Sequence, residues 1–410
     1  MNLLLILLLV LPLFAVAANG TQNSTQNSTQ AQVPQGRFGL VDERWCSFYP
    51  QLPFCPDSGT TITTGQGAPA GMGLVPIDWC KIISTLPFCL TNGGGANGGG
   101  LLTPLTGFGS NPGNLDAFKY VPQDSGTSSR PLVIALHGCT QRAEHYDDET
   151  GWVKFADKFH FALLLPQQKL ANHPASCFRW FDPNDNERDK GEALSIRQMI
   201  EKMKTDSNID PKRIYVTGLS GGGAMTAVML ATYPDVFAGG GIVAGIPYKC
   251  ANSETEAQKK CGVLLGNKMQ AEKINMTPAK WGDLVRRAST STGPFPAIPI
   301  SIWHGDVDGT VDPQNEIELM EQWTNVLGID QNPEVNEILN ETTAHPITHQ
   351  VFANNANRAL VETFLVKGMD HGAPVDPGTA AEQCGTAAPF IFDVGICSSF
   401  FIAKFWGLIP

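Results

Sequence analysis

Cationic side chains are scarce in this chain. In 410 residues, 28 Lys and Arg stand against 39 Asp and Glu, a net charge of −11, and no segment gathers the basic ones. Nucleic-acid binding draws on clustered Lys and Arg that neutralise phosphates, so that class of partner is excluded. Long apolar runs are also missing apart from one at the start, which is shorter than the roughly 20 residues a membrane span needs. The glycines keep no three-residue period, which excludes a collagen-like fibre, and 42% hydrophobic residues exclude wholesale disorder. Glycine (42), proline (29) and cysteine (10) are plentiful instead. At roughly 150 residues per domain the length allows two or three domains, or one large α/β domain with spacer attached.

The opening run Leu3 to Leu13, then Phe14 and Ala15-Val16-Ala17-Ala18, reads as the apolar core and small-residue cleavage site of a secretion signal. Its leading residues carry no Lys or Arg. Residues 1–18 are expected to be removed after Ala17 or Ala18, leaving a secreted, extracellular protein without a membrane span. Ten cysteines suit the oxidising compartment that this implies. Glycosylation sequons begin at Asn19, Asn23 and Asn27, inside a Ser/Thr/Gln/Asn tract, and again at Asn275 and Asn340. Residues 19–40 are therefore expected to be a glycosylated, disordered tail, with plain disorder the blander reading.

A repeat follows. Val41 to Cys55 holds Trp45-Cys46 and Leu52-Pro53-Phe54-Cys55, and Val75 to Cys89 holds Trp79-Cys80 and Leu86-Pro87-Phe88-Cys89. The C-x8-C spacing can close on itself, so pairs Cys46–Cys55 and Cys80–Cys89 are expected, with pairing between units the alternative. Units this small cannot bury a core and depend on such a staple. Trp45 and Trp79 could stack on a polymer or sugar, but the plainer reading, which we favour, is a clasped spacer whose Trp is its only core. Residues 41–90 thus hold the two repeats (41–55 and 75–89). A Gly-rich linker, 91–100, leads to a domain spanning 101–410.

Within 101–410 the pattern changes. Short apolar runs at Pro131–Leu136, Phe161–Leu165, Arg213–Thr217, Gly241–Ala244, Pro299–Trp303 and Leu360–Val366 read as buried strands. Stretches at Leu194–Met203, Gly222–Thr232, Pro278–Arg287 and Glu316–Val326 read as helices. Alternation of the two predicts a mostly parallel sheet with helices on both faces. Gly218-Leu219-Ser220-Gly221-Gly222 is G-x-S-x-G between a strand and a helix, the context in which this weak pattern marks a nucleophilic serine. Small neighbours let the chain turn sharply there, and the following helix presents its positive end to developing negative charge.

A serine nucleophile needs a base that is itself held by an acid. Trp303-His304-Gly305-Asp306-Val307-Asp308 follows a later strand; Asp308 is taken as the acid, with Asp306 the nearest competitor. Gly368-Met369-Asp370-His371-Gly372 follows the last strand and carries the base, His371. Ser, Asp, His is the chain order of α/β-hydrolases. His137 and His304, each before Gly at a strand end, are read as structural. The loop His137-Gly138-Cys139-Thr140-Gln141 is expected to supply one oxyanion amide from Cys139, with Gly221 supplying the other. Cys139 is read as bonded rather than as a thiol nucleophile and is paired with Cys177; Cys250–Cys261 and Cys384–Cys397 complete the set.

Gly218 to Phe237, His137 to Gln141, Cys177-Phe178-Arg179-Trp180-Phe181 and His371 to Gly378 together resemble the polyhydroxybutyrate-depolymerase-type esterases, a family that also takes in feruloyl and acetylxylan esterases. The resemblance covers residues 115–410. It implies an α/β-hydrolase fold and ester hydrolysis through an acyl-enzyme, without metal or other cofactor. Its acid stands three residues after Gly in a pattern like His304-Gly305-Asp306-Val307-Asp308, which implies the triad Ser220, Asp308 and His371. Gly221 departs from the Ala the family often has. Trp180, beside Cys177, could line the acyl pocket or belong to the core, and the resemblance favours the pocket.

Two patterns carry nothing further. Asp182, Asn184 and Asn186 mimic a calcium loop, but Glu187 stands where glycine is needed, so a turn is expected. His345 and His349 have helical spacing, which Pro346 opposes. The expected partner is an ester substrate, in the first instance a hydroxyalkanoate-type polyester, with feruloylated or acetylated wall polysaccharide as the alternative. Small soluble esters alone, or binding without catalysis, are the remaining readings. A monomer is assumed.

Overall fold

The computed structural model describes residues 38–42, 74–78, 102–123, 128–263, 274–288 and 294–410. The signal segment, Asn19, Asn23 and Asn27, Trp45 and Trp79, Cys46, Cys55, Cys80 and Cys89, and the linker 91–100 lie outside them. The chain divides into two units, Met1–Gly98 and Gly99–Pro410. In the first, β1 (Phe38–Asp42) pairs antiparallel with β2 (Leu74–Asp78). The strand β1 starts inside the segment expected to be tail. Its register sets Val41 opposite Val75, corresponding positions of the two repeats.

The second unit is built on a ten-stranded sheet in the order β10-β11-β12-β9-β8-β7-β5-β6-β4-β3. Its centre is parallel: β5 (Arg130–Leu136), β6 (Ala162–Gln167), β7 (Ile209–Leu219), β8 (Gly239–Val243), β9 (Ile300–Gly305) and β12 (Ala359–Val366). These are the apolar runs read as strands from sequence. Antiparallel strands flank them, β3 (Thr103–Pro104) and β4 (Asp116–Tyr120) on one side, β10 (Val335–Leu339) and β11 (Ile347–Ala353) on the other. β13 (Ala373–Val375) and β14 (Ile391–Asp393) form a small separate pair.

Because strand side chains alternate between faces, the centre buries two cores. Leu132, Ile134, Val216 and Ile302 pack against α3 (Gly191–Asp206), α4 (Gly221–Thr232), α6 (Pro278–Ala288) and α7 (Gln314–Leu327). Val133, Tyr215, Trp303 and Phe364 pack against α1 (Ala143–Glu149), α2 (Trp152–Phe159) and α8 (Ser398–Phe405). α5 (Glu254–Lys260) lies in the segment after β8. The spacing of Ala193, Ile196, Met199, Ile200 and Met203 gives α3 one apolar stripe, all of it buried. Every residue of α4 is buried, which fits its lack of charged residues. Disulfides join Cys139–Cys177, Cys250–Cys261 and Cys384–Cys397, the pairs expected from sequence. Among the described residues no helix is long and apolar enough to cross a membrane.

The candidate active site

Ser220 stands between the end of β7 and the start of α4 with φ 58° and ψ −120°, left-handed backbone that a non-glycine residue adopts under constraint. The constraint is visible in its neighbours. A Cβ on Gly218 would lie 2.5 Å from the backbone of Gly222, and one on Gly222 would lie 2.2 Å from the Leu136 carbonyl oxygen. No side chain fits either place, so glycine at both lets the turn close against β5. Ser220 N donates to Val243 O at 2.9 Å, tying the turn to β8.

His371 follows β12 and Asp308 follows β9, so all three side chains gather at the carboxyl edge of the parallel strands, where open α/β sheets place their sites. Ser220 Oγ and His371 Nε2 are 2.8 Å apart, and His371 Nδ1 is 2.7 Å from Asp308 Oδ2. Exposure falls along this line from 9% at Ser220 to 5% at His371 and 1% at Asp308, which leaves the hydroxyl as the accessible end. The close approach depends on Gly305: a Cβ there would meet Met369 O at 2.1 Å. Asp370 Oδ1 accepts from His371 N and from Gly309 N, both at 2.8 Å, and so holds the two loops together.

Asp308 Oδ1 accepts from the amides of Thr310 and Val311 at 2.8 Å each. Burial acts to raise its pKa, but hydrogen bonds from His304 and His371 outweigh that and hold the carboxyl well below the usual range. The competitor Asp306 is exposed and faces elsewhere, accepting from Gly368 N at 2.6 Å. Of the two acids after β9, Asp308 is the one brought to His371.

Beside Ser220 lies the loop after β5. His137 is buried there, its Nδ1 donating to Gly138 O at 2.7 Å and its Nε2 accepting from Gln168 N at 3.1 Å. Burial brings its pKa down to about 4, so the ring is neutral and serves to hold the loop. Gly138 N donates to Gln141 Oε1 and Thr140 N to Ala175 O. Among the described residues Cys139 N and Gly221 N have no acceptor. A Cβ on Gly221 would lie 3.0 Å from Cys139 Sγ, so the two donors expected from sequence are neighbours. The arrangement can deliver a hydroxyl to a carbonyl carbon and offer amides to the oxygen that becomes negative.

Trp180 is only 6% exposed, packed at 5.5 Å against Phe181 in the core. Sequence reasoning passed over Phe390. It is 40% exposed, has φ 66°, and its ring centre lies 6.1 Å from that of His371, edge to face. Its loop is closed by Cys384–Cys397 and reached by Gln141 Nε2, which donates to Pro389 O at 3.4 Å. Nothing in the sequence distinguishes this Phe from the others, since its position depends on the folded loop.

The remaining candidates are engaged elsewhere. Asp182 accepts from Asn184 N and pairs with Arg179, while Asn186 Nδ2 donates to Trp180 O, the turn expected from sequence. His345 faces Lys367 O, and His349, on β11, lies between Glu337 and Glu362. Among the described residues no group of three or more His, Cys, Asp or Glu is arranged to hold a metal ion.

Comparison with known proteins accords with this geometry. The family described as Esterase PHB depolymerase matches residues 115–334. A protein of Paucimonas lemoignei named poly(3-hydroxyalkanoate) depolymerase C is 48% identical over 309 residues, covering 75% of this chain and 70% of the relative. An acetylxylan esterase of Coprinopsis cinerea is 35% identical over 279 residues, covering 67% and 70%. A feruloyl esterase B of Neurospora crassa is 30% identical over 277 residues, covering 67% and 89%. Among solved structures, an acetyl xylan esterase from Aspergillus awamori aligns with a TM-score of 0.59 at 23% identity, covering 76% of this chain and 100% of that one, which shows the shared fold.

Proposed function

The chain belongs to the PHB depolymerase esterase family and is a carboxylic ester hydrolase, and from that premise we propose a secreted serine esterase acting on a hydroxyalkanoate-type polyester. The observation that carries the catalytic part is the continuous line Ser220 Oγ–His371 Nε2 at 2.8 Å and His371 Nδ1–Asp308 Oδ2 at 2.7 Å. His371 takes the Ser220 proton as the oxygen attacks the ester carbonyl, and Asp308 orients and stabilises the imidazolium. The amides of Cys139 and Gly221 receive the tetrahedral oxyanion, each donor worth about 3 kcal/mol in the transition state. His371 then protonates the departing alcohol. Water, deprotonated by the same His371, releases the acid from Ser220.

One observation favours a polyester over the wall-polysaccharide alternative. The 48% identity to the poly(3-hydroxyalkanoate) depolymerase exceeds the 35% to the acetylxylan esterase. Phe390 also exposes apolar surface beside His371, where the acyl part of an ester would lie. Phe390 is for this reason a better candidate for the acyl wall than buried Trp180. Secretion rests on residues 1–18 and on the cysteine pairing. The test is to incubate wild type and Ser220→Ala with hydroxyalkanoate polyester, acetylated xylan and feruloylated xylan, and to identify the acid released. Hydroxyacid released by wild type alone supports the proposal. Acetate or ferulate without hydroxyacid favours the alternative, and equal release by the variant ends the serine mechanism.

A further inference from the structure

On the reading of Ser220, Asp308 and His371 as a working triad, we propose that His304 is a positioning residue: its Nε2–H, shared between the Val311 carbonyl and Asp308 Oδ2, helps to hold Asp308 at the angle from which it orients His371. Sequence reasoning gave His304 only a place at a strand end. The fold gives it more. His304 is next to last in β9, and the turn closed by Asp308 N donating to Gly305 O at 3.3 Å brings the side chain four residues on back beside it. His304 Nε2 lies 3.1 Å from Asp308 Oδ2 and 3.1 Å from the Val311 carbonyl oxygen. Both partners are acceptors, so Nε2 must carry the hydrogen.

The consequence is a nearly full set of partners around the carboxylate. Two oxygens offer about four lone-pair directions. Oδ1 receives the amides of Thr310 and Val311, and Oδ2 receives His371 at 2.7 Å with His304 Nε2, whose one hydrogen also serves Val311 O, 3.1 Å away. Between the two amides on Oδ1 and the two imidazoles beside Oδ2, the carboxylate has little rotation left to it. His304 is 0% exposed, so no solvent stands ready to replace its hydrogen bond. The sheet face to which it points holds Glu316 of α7 as the other ionisable group, whose carboxyl is pushed up to about 7 by burial. Removing His304 takes this shared hydrogen from beside Oδ2 in a dry site, and Asp308 can swing on its Oδ1 anchors away from the angle His371 requires.

The prediction separates positioning from mere support. In the wild-type protein, 15N-histidine NMR should find His304 Nε2 protonated; a bare Nε2 overturns the proposal without any variant. His304→Leu, of similar bulk but with no donor, should lower kcat at least tenfold with KM changed less than twofold. His304→Gln, whose amide nitrogen can reach the same place, should recover most of that loss. Wild-type kcat in a folded His304→Leu, or equal losses in the Leu and Gln variants, would contradict it. These failures leave the dependence on Ser220 intact, whereas equal activity in Ser220→Ala overturns the triad reading and this proposal together.

Discussion

The Cβ that Gly221 lacks would stand 3.0 Å from the Sγ of Cys139. This is tighter than ordinary carbon–sulfur contact, so a methyl group there would press on Cys139, whose amide we propose as one of the two oxyanion donors. The Cys139–Cys177 disulfide limits how far Cys139 can give way. Gly221→Ala should lower kcat about tenfold, because a shift well under 1 Å in a positioned donor is costly. Steady-state kinetics on a soluble ester check this, and an unchanged kcat would show that Cys139 is not held where it matters.

The two acids after β9 make opposite predictions. Asp308→Asn should lower kcat by about 10⁴, the loss seen when the acid of such a triad becomes an amide and its histidine takes the wrong tautomer. Asp306→Asn, which keeps an oxygen to accept from Gly368 N, should stay within about threefold of wild type, as exposed sites usually do. Kinetics of the pair under identical conditions decide which acid serves His371.

Phe390 bears on substrate choice. Covering an apolar side chain yields roughly 1.5–3 kcal/mol, so an acyl chain long enough to lie on the ring should gain about tenfold or more from it. Phe390→Ala should therefore spare an acetate ester and cost a hexanoate ester about tenfold in kcat/KM. Equal losses on both esters would make the ring a support for His371 rather than a substrate wall.

A buried carboxyl predicts a pH effect on stability. On α1, Asp147 is buried, and its Oδ1 has no hydrogen-bond partner among the described residues. Burial pushes its pKa up to about 7 from 3.8. An acid raised in the folded state is neutral there while the unfolded chain already ionises. The pH-dependent part of its burial cost is therefore absent below the unfolded value and grows as pH rises to about 7. Asp147→Asn removes that dependence. Relative to wild type, its Tm should be a few degrees higher at pH 8 than the comparison gives at pH 5, at roughly 2–4 °C per kcal/mol for a domain approaching this size. A difference that does not change with pH would contradict it.

Sequence alone reached the parts of this molecule that burial writes into it. The six parallel strands are covered on both faces, so each appears as a short run of apolar residues. The flanking antiparallel strands left no such mark: β10, Val-Asn-Glu-Ile-Leu, is exposed through most of its length, and β4 mixes Asp and Lys with Phe and Tyr. The helices α1, α2, α5 and α8 were missed because they are only seven or eight residues long. Ser220 was legible because its turn needs glycines at fixed offsets. Phe390 and the contact of His304 with Asp308 were not, since each depends on where a loop comes to rest. The disulfides fell between these cases: the pairing could be chosen, but the seat of Cys139 beside Gly221 could not.

The most direct measurement is covalent labelling of the nucleophile. An alkyl nitrophenyl phosphonate, offered to the full-length enzyme and followed by peptide mass spectrometry, should leave one adduct per chain on Ser220, with activity falling in proportion to labelling. Ser220→Ala should take up none. An adduct on another residue accompanied by loss of activity, or full activity after Ser220 is labelled, would contradict the assignment of Ser220 as the residue that carries the acyl group.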